Sequence, residues 1–506
     1  MTMQGNLIHG GWLVERWDRA PIENGALYEE NGRVVAVDTH ETLRKRYPAA
    51  RAIGSANRVV IPGFVNAHSH GRGFTTYQMG QPDEPLEMRI VEMVTRPEWG
   101  AASAGAQAKS TYDPYRDTLY GCLKQIAAGV TSTLHSHIYV GGPVEPYAHS
   151  TREVLRAYQD SGLRCAFALG IRDRYSFTFM NDEEFVKLLP PELRAATGIQ
   201  PISCDMGFGE FYALLKTLAA EFPEVSMQIG PWNPIWCSDE LMVQIANASA
   251  SDGWRIHTHL SETRYQAAFA RKTYGKSWTA RLKELGMLTE RFSGAHGIWV
   301  DAADLGLIKA SGAQIVHNPS SNLRLGSGMA PLRDFLERGI PVGFGLDSLS
   351  MNDDEDMFQD LRLGQVVQNR PDLDVPPIAA STMFGLATYG GATITGIKGT
   401  GSLEPGSLAD ATLVSLDEIA GGHADQPLAD LMLRRAKAAH VKSVIVGGKL
   451  LLDEGRWTGQ DPASLRDQLS AVVGRAPARS GGARPVAQVK QVVKDVLSDS
   501  YGRGVS

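Results

Sequence analysis

Residues 60–73 read VIPGFVNAHSHGRG, an apolar run ending in His68-Ser69-His70. In an extended strand, residues two apart face the same way. His68 and His70 would then present two imidazoles side by side, the arrangement that holds a metal ion. Similar residue types recur downstream. HTHLSE places His257, His259 and Glu262 together; His296, His317 and Asp347 end later apolar runs. Imidazole and carboxylate ligands suit Zn²⁺ or Fe²⁺. A catalytic metal with an open position lowers the pKa of a bound water from ~15.7 toward ~7 and makes hydroxide available at neutral pH. A carboxylate nearby, such as Glu262, can take the water's proton and pass it to a leaving group.

Residues this far apart in sequence need a fold that gathers them. Apolar runs at 60–68, 129–137, 163–171, 225–232, 254–262, 292–300, 313–321 and 341–348 alternate with stretches such as YRDTLYGCLKQIAAG and EFYALLKTLAAEFP. Those stretches carry apolar residues at spacings of three and four, as helices do. Eight such units outline a (β/α)8 TIM-type barrel, which brings the C-terminal ends of its strands to one mouth. An open doubly wound sheet would want a Gly-rich phosphate turn after its first strand, and GGP at 141–143 and GSG at 326–328 are too short for one. Strand-like segments at 6–61, including a hairpin signal at Asn31-Gly32, and others after residue 400 predict a small β-sandwich built from both chain ends. The expected domains are therefore 1–62 with 400–460, the barrel at 63–399, and an extension at 461–506. Within the extension, 474–485 (GRAPARSGGARP) has linker composition. Val486, Val489, Val492, Val493, Val496 and Leu497 then form a helical stripe. It packs on its own barrel in one reading and on a second subunit in the other, and a homodimer or higher homo-oligomer is expected.

Composition narrows the function classes. Of 506 residues, 43% are hydrophobic and 21% charged, which excludes a disordered chain. A net charge of −6 argues against a nucleic-acid surface. No apolar run reaches spanning length and the start of the chain lacks a secretory signature, so no membrane partner is expected. Cys122, Cys165, Cys204 and Cys237 are scattered, without a C-x-x-C pair. That fits a cytoplasmic location and argues against a thiolate metal knuckle.

The stretches IPGFVNAHSHGRG, GVTSTLHSH, HLSET, AHGIWVD, HNPSSNLRLGSGMAP and GFGLDSLSMNDDEDM occur in this order. Together they resemble the amidohydrolase superfamily, in the branch of cytosine, guanine and S-adenosylhomocysteine deaminases and triazine chlorohydrolases. The resemblance spans about residues 5–455. It implies His68, His70, His259 and Asp347 as ligands of one divalent ion, zinc first, with iron or manganese as alternatives. It implies Glu262 as proton shuttle, His296 as a group that binds and polarises the substrate, and Asp347 as base as well as ligand. His257 is selected against by its distance to Glu262, and His317 would line the site without binding metal. The implied reaction is attack of hydroxide on an amino-bearing ring carbon of a nitrogen heterocycle, with release of ammonia. Hydrolysis of a cyclic amide, a urea-type bond or a ring chloride is the alternative. A metal-binding scaffold without catalysis is disfavoured because no candidate residue is missing.

The departures matter too. Trp232 stands where this branch commonly has a histidine, and Leu346-Asp347-Ser348 where Thr-Asp-Gly is commoner. Candidate substrate contacts are His137, Arg172, Arg174, Trp232 and His296; an arginine there would bind a carboxylate, phosphate or ring carbonyl. The fourth strand, VSMQIGPWNP, has no lysine to carry the bridging carboxylate of a two-metal site. Metal analysis of the purified protein should therefore give one firmly bound ion per chain; two would overturn this reading.

Overall fold

The computed structural model describes residues 5–95, 113–174, 178–421, 426–459, 461–473 and 483–502. Five strands come first: β1 (Asn6–Leu13), β2 (Ile22–Glu23), β3 (Gly25–Glu30), β4 (Arg33–Thr39) and β5 (Arg51–Pro62). Eight barrel strands follow: β6 (Phe64–Ser69), β7 (Val130–Ser136), β8 (Arg164–Ile171), β9 (Ser226–Pro231), β10 (Ile256–Leu260), β11 (Phe292–His296), β12 (Gln314–His317) and β13 (Val342–Phe344). The chain closes with β14 (Ala411–Ser415), β15 (Val441–Val446), β16 (Lys449–Asp453) and β17 (Arg456–Trp457).

β6 to β13 form one eight-stranded parallel sheet in sequence order. Between its two ends, the Asp347 amide donates to the His68 carbonyl at 2.9 Å, and Leu346 N donates to Asn66 Oδ1 at 3.0 Å. Every residue of β6, β7 and β10 is buried. Burial on both faces takes in their polar residues too, Asn66, Thr131, Ser132, Thr133 and Thr258 among them.

The run read as a single strand over 60–68 is two strands. Pro62 ends β5 in one sheet, and Phe64 starts β6 in the other. Gly63 sits at the crossing, where a Cβ would lie 2.2 Å from the Thr131 side chain. Only a residue without a side chain lets the chain pass from one sheet into the other at this point.

The remaining nine strands make one hydrogen-bonded sheet, with β5 paired to β1 on one side and to β14 on the other. The two chain ends thus share a sheet. It folds over a common core of Ile8, Leu27, Val34, Val60, Leu413 and Ile445. A bridge from Arg33 to Leu408 brings β4 back toward the β14 side. The Asn31-Gly32 turn joins β3 to β4, with φ of 55° and 78°, as a two-residue hairpin loop requires.

The helix Ala483–Tyr501 buries Val486, Val489, Val493 and Leu497 against the barrel's own helices. One of these is Leu86–Val94, in the segment after β6. Lys490 Nζ lies 2.5 Å from Glu84 and 2.6 Å from Glu92 of that segment. The stripe is therefore covered within the chain, and needs no second subunit to bury it. The linker expected over 474–485 falls largely outside the described residues. All four cysteines are free. No helix among the described residues is long and apolar enough to cross a membrane.

Val489 is fully buried in the contact made by the stripe. Val489→Asp should destabilise the protein by about 3 kcal/mol, because it buries an unpaired carboxylate. Chemical denaturation measures this, and a change under about 0.5 kcal/mol would show that the helix is not docked.

Candidate metal centre and catalytic pocket

The ends of β6, β10, β11 and β13 meet at the barrel mouth. His68 Nε2 and His70 Nε2 lie 3.0 and 3.1 Å from Asp347 Oδ1. His68, His259, His296 and Asp347 each offer a ligand atom, and these atoms all lie within 4.8 Å of one another. That grouping takes in His296 in place of His70, although His70 Nε2 is close to Asp347. The structure therefore brings five side chains to one point.

Each imidazole is held from behind. His68 Nδ1 is 2.7 Å from His257 Nε2, and His257 Nδ1 is 2.8 Å from Ser293 Oγ. His70 Nδ1 donates to the Ser136 carbonyl at 2.9 Å, and His259 Nδ1 to the Trp232 carbonyl at 2.6 Å. His296 Nδ1 donates to Asn322 Oδ1 at 2.8 Å. With the Nδ1 atoms donating outward, the Nε2 lone pairs face inward. Ser321 Oγ donates to Asp347 Oδ2 at 2.5 Å, and Oδ1 faces His68 and His70. His68 Nε2, His296 Nε2 and Asp347 Oδ1 are buried without a hydrogen-bond partner. Burial lowers the pKa of His68 to about 4 and that of His259 well below its usual value, so both rings are neutral. Neutral lone pairs and a carboxylate oxygen converging in a buried site are the donor set for a divalent cation.

Two of these residues have left-handed backbones: φ is 74° at His296 and 55° at Asp347. A non-glycine residue in that region carries a cost of about 1–3 kcal/mol. The gain is direction, since each side chain turns off its strand end toward the centre.

Glu262 lies beside the cluster, its Oε2 3.9 Å from His296 Nε2. Burial, helped by the charges of Asp347 and Glu87, raises its pKa to about 7. The pocket above holds about 740 Å³ of empty space, its open mouth included. His70, His259, Glu262, His296 and Asp347 line its floor, and Trp232 and Trp236 one wall, their rings 4.6 Å apart. Trp232 thus combines two features: its carbonyl orients His259, and its ring faces the pocket. Only the carbonyl is independent of side-chain identity, which lets this position differ from the common histidine without disturbing the centre.

Three predicted substrate contacts are not among the lining residues. His137 is turned back beside its strand, Nε2 3.1 Å from Thr151 Oγ1, and its ring packs on Tyr147 and Phe167. Arg172 is buried behind the wall, bonded to the Val140 carbonyl, with its guanidinium 5.8 Å from the Trp232 ring. Arg174 donates to the Tyr274 hydroxyl at 2.8 Å. The strand end was the right place to look, but His137 falls two residues after His135 and shares its helix-facing side, while the adjacent Ile138 lines the pocket. His257 braces His68 from behind rather than facing the pocket. His317 is buried against Phe344, away from the pocket lining.

Ser348, part of the departure at Leu346-Asp347-Ser348, does line the pocket, and so do Arg72, Thr76, Arg89 and Met93, which the sequence reading did not name. Those four belong to the segment after β6, where no strand pattern marks them and the charged residues look like an ordinary solvated face.

A barrel whose strand ends gather histidines and an aspartate around a pocket defines a metal-dependent hydrolase of the (β/α)8 class. The chain belongs to the amidohydrolase family, whose model matches residues 59–451. It is 27% identical to a 5'-deoxyadenosine deaminase of Methanothermobacter thermautotrophicus over 90% of this chain and 95% of that protein. It is 28% identical to a 5-methylthioadenosine/S-adenosylhomocysteine deaminase of Bacillus cereus over 87% and 91%. Its fold matches a mutant atrazine chlorohydrolase of Arthrobacter aurescens TC1, solved with zinc and atraton, with a TM-score of 0.76 at 22% identity, covering 92% and 99% of the two chains.

A shifted pKa alone does not mark a catalytic group. Glu355 is also raised to about 7, chiefly by burial, yet it is absent from the pocket lining. Neither of its carboxyl oxygens has a hydrogen-bond partner. Because its folded pKa lies above the ordinary 4.5, folding favours the protonated form, and stability falls as pH rises from about 4.5 through 7. Above pH 7 the full cost is about 3 kcal/mol. Glu355→Gln should therefore stabilise the protein more at pH 8 than at pH 5 in denaturant unfolding; an equal effect at both would remove the assignment.

Proposed function

We propose that the chain is a metal-dependent aminohydrolase that releases ammonia from an aminated nitrogen heterocycle. The observation that carries this is Glu262, buried and poised near neutral pKa beside the inward-facing imidazoles and Asp347, on the floor of a pocket with an aromatic wall. His68, His70, His259 and Asp347 would hold one divalent ion, with zinc favoured by the donor set. When bound, that ion supplies a water activated for attack at neutral pH.

The protein's own groups then divide the proton traffic. Asp347 accepts hydrogen bonds from the attacking water and fixes its approach. Glu262 takes the water's proton and delivers it to the ring nitrogen as the carbon–oxygen bond forms. The carbon becomes tetrahedral, bearing both hydroxyl and amino groups. His296 Nε2 accepts a hydrogen bond from the hydroxyl on that carbon and holds it in place. The second proton passes from the hydroxyl through the carboxylates to the amino group, the carbon–nitrogen bond breaks, and ammonia leaves behind a ring carbonyl. Trp232 and Trp236 offer a flat surface for the ring. The named deaminase relatives support an aminated purine nucleoside class. A ring chloride or cyclic amide would use the same groups with a different leaving atom, and parallel assays for ammonia, chloride and new carboxylate separate these reactions.

Glu262→Gln keeps the shape of the side chain but cannot shuttle a proton. The variant should retain metal and fold while kcat for ammonia release falls by about 10²-fold or more. Full activity would remove Glu262 from the mechanism.

A further inference from the structure

The helix Leu86–Val94 forms part of the pocket wall, yet little in its own length holds it in place. It has nine residues, too few for a helix to be stable alone. Residues 70–85 ahead of it are turns and irregular chain. Its position is therefore set by what packs on it. Leu86 and Met93, two turns apart on one face, line the pocket and are partly exposed. Near its start, Thr263 Oγ1 donates to Glu87 Oε1 at 2.6 Å.

Away from the pocket, the helix is engaged by the end of the chain. Lys490 Nζ lies 2.5 Å from Glu84, just ahead of the helix, and 2.6 Å from Glu92 in its last turn. Glu92 is only 3% exposed. The helix that carries Lys490, Ala483–Tyr501, also packs on Arg264–Tyr274, the helix that follows Glu262. There the Tyr501 ring is 6.2 Å from that of Phe269, and Lys272 Nζ donates to the Ser500 carbonyl at 3.0 Å. One element thus spans the helix that walls the pocket and the helix next to the proton shuttle. It lies beyond the family match, which ends at residue 451. Glu262 has an anchor of its own, its amide donating to Gln266 Oε1 at 2.9 Å.

We propose that Lys490 is a positioning residue for substrate binding: by holding Glu84 and Glu92 it fixes the face that Leu86 and Met93 turn to the pocket. A segment outside the family match then sets how tightly the substrate is held, while the shuttle keeps its place. The inference rests on the reading of this pocket as the substrate site. Removing the ammonium takes a partner from a covered carboxylate, and that carboxylate gains most by turning toward water. The turn that carries Glu92 also carries Met93, so the pocket wall moves with it.

The test uses the full-length, zinc-loaded enzyme with Lys490→Met, Lys490→Arg, Glu92→Gln or Lys442→Met. The last breaks a comparable pair, Lys442 Nζ to Glu418 at 2.8 Å, in the sheet made by both chain ends, and so controls for a general loss of stability. Hydrogen exchange read by mass spectrometry follows residues 86–94 without any substrate. Ammonia release from adenosine and 5'-deoxyadenosine gives KM and kcat. In Lys490→Met, exchange over 86–94 should rise about tenfold with the barrel strands unchanged, and KM should rise about tenfold with kcat held within about threefold. Glu92→Gln removes the same pair from the other side and should repeat this pattern, which keeps the test open if Lys490→Met folds poorly. Lys490→Arg should restore both readouts, and Lys442→Met should move neither. Unchanged exchange over 86–94, a kcat that falls as far as KM rises, or an equal rise of KM in Lys442→Met overturns the proposal. If the wild type releases ammonia from neither nucleoside, the deaminase reading fails for that class, and the exchange measurement alone decides the role of Lys490.

Discussion

The centre depends on one constraint: every imidazole at the barrel mouth is tied through its outer nitrogen. Three of those ties end on backbone carbonyls or an asparagine, and the fourth runs through His257 to Ser293. Each fixes a tautomer as well as an orientation. The inner nitrogens are then left with lone pairs facing one another and a carboxylate. Lone pairs and a carboxylate gathered in this way form a cluster that could hold a metal ion. The strained backbones at His296 and Asp347 belong to the same design. Their cost is spread over a large barrel core, and they aim two side chains that strand geometry would have pointed elsewhere.

The division of labour between the two sheets follows from burial. The barrel's strands are buried on both faces, which suits ligands that must hold position. The sheet made by both chain ends shares no residue with the pocket lining. It closes the molecule by pairing β5 with β14, and Gly63 joins it to the barrel without a loop. The first barrel strand, which carries His68, is therefore clamped immediately upstream of its histidines.

Much of this was legible in the sequence because it was periodic or paired. Eight apolar runs outlined the barrel, and histidines and an aspartate at their ends pointed to the centre. What could not be read depended on single-residue geometry. His137 and Arg172 sit at strand ends as anticipated, but their side chains point behind the wall. Nothing in residue type shows which side of a doubly buried strand faces the pocket and which the helices. Arg89 was hidden for a different reason. It lies in the long segment after β6, in a stretch whose charges resemble those of any exposed helix, and only the tertiary fold buries it. The split at Gly63 was masked because both halves are equally apolar.

The helix Ala483–Tyr501 seats its valine stripe on the segment that carries Arg89, and Lys490 bonds to that segment at Glu84 and Glu92. Ribosomal synthesis delivers this helix after every barrel strand has emerged. The strand ends that carry the histidines are therefore synthesised well before the helix that supports the wall beside them. Synthesis sets an order of availability in which the floor of the pocket precedes the brace of its wall.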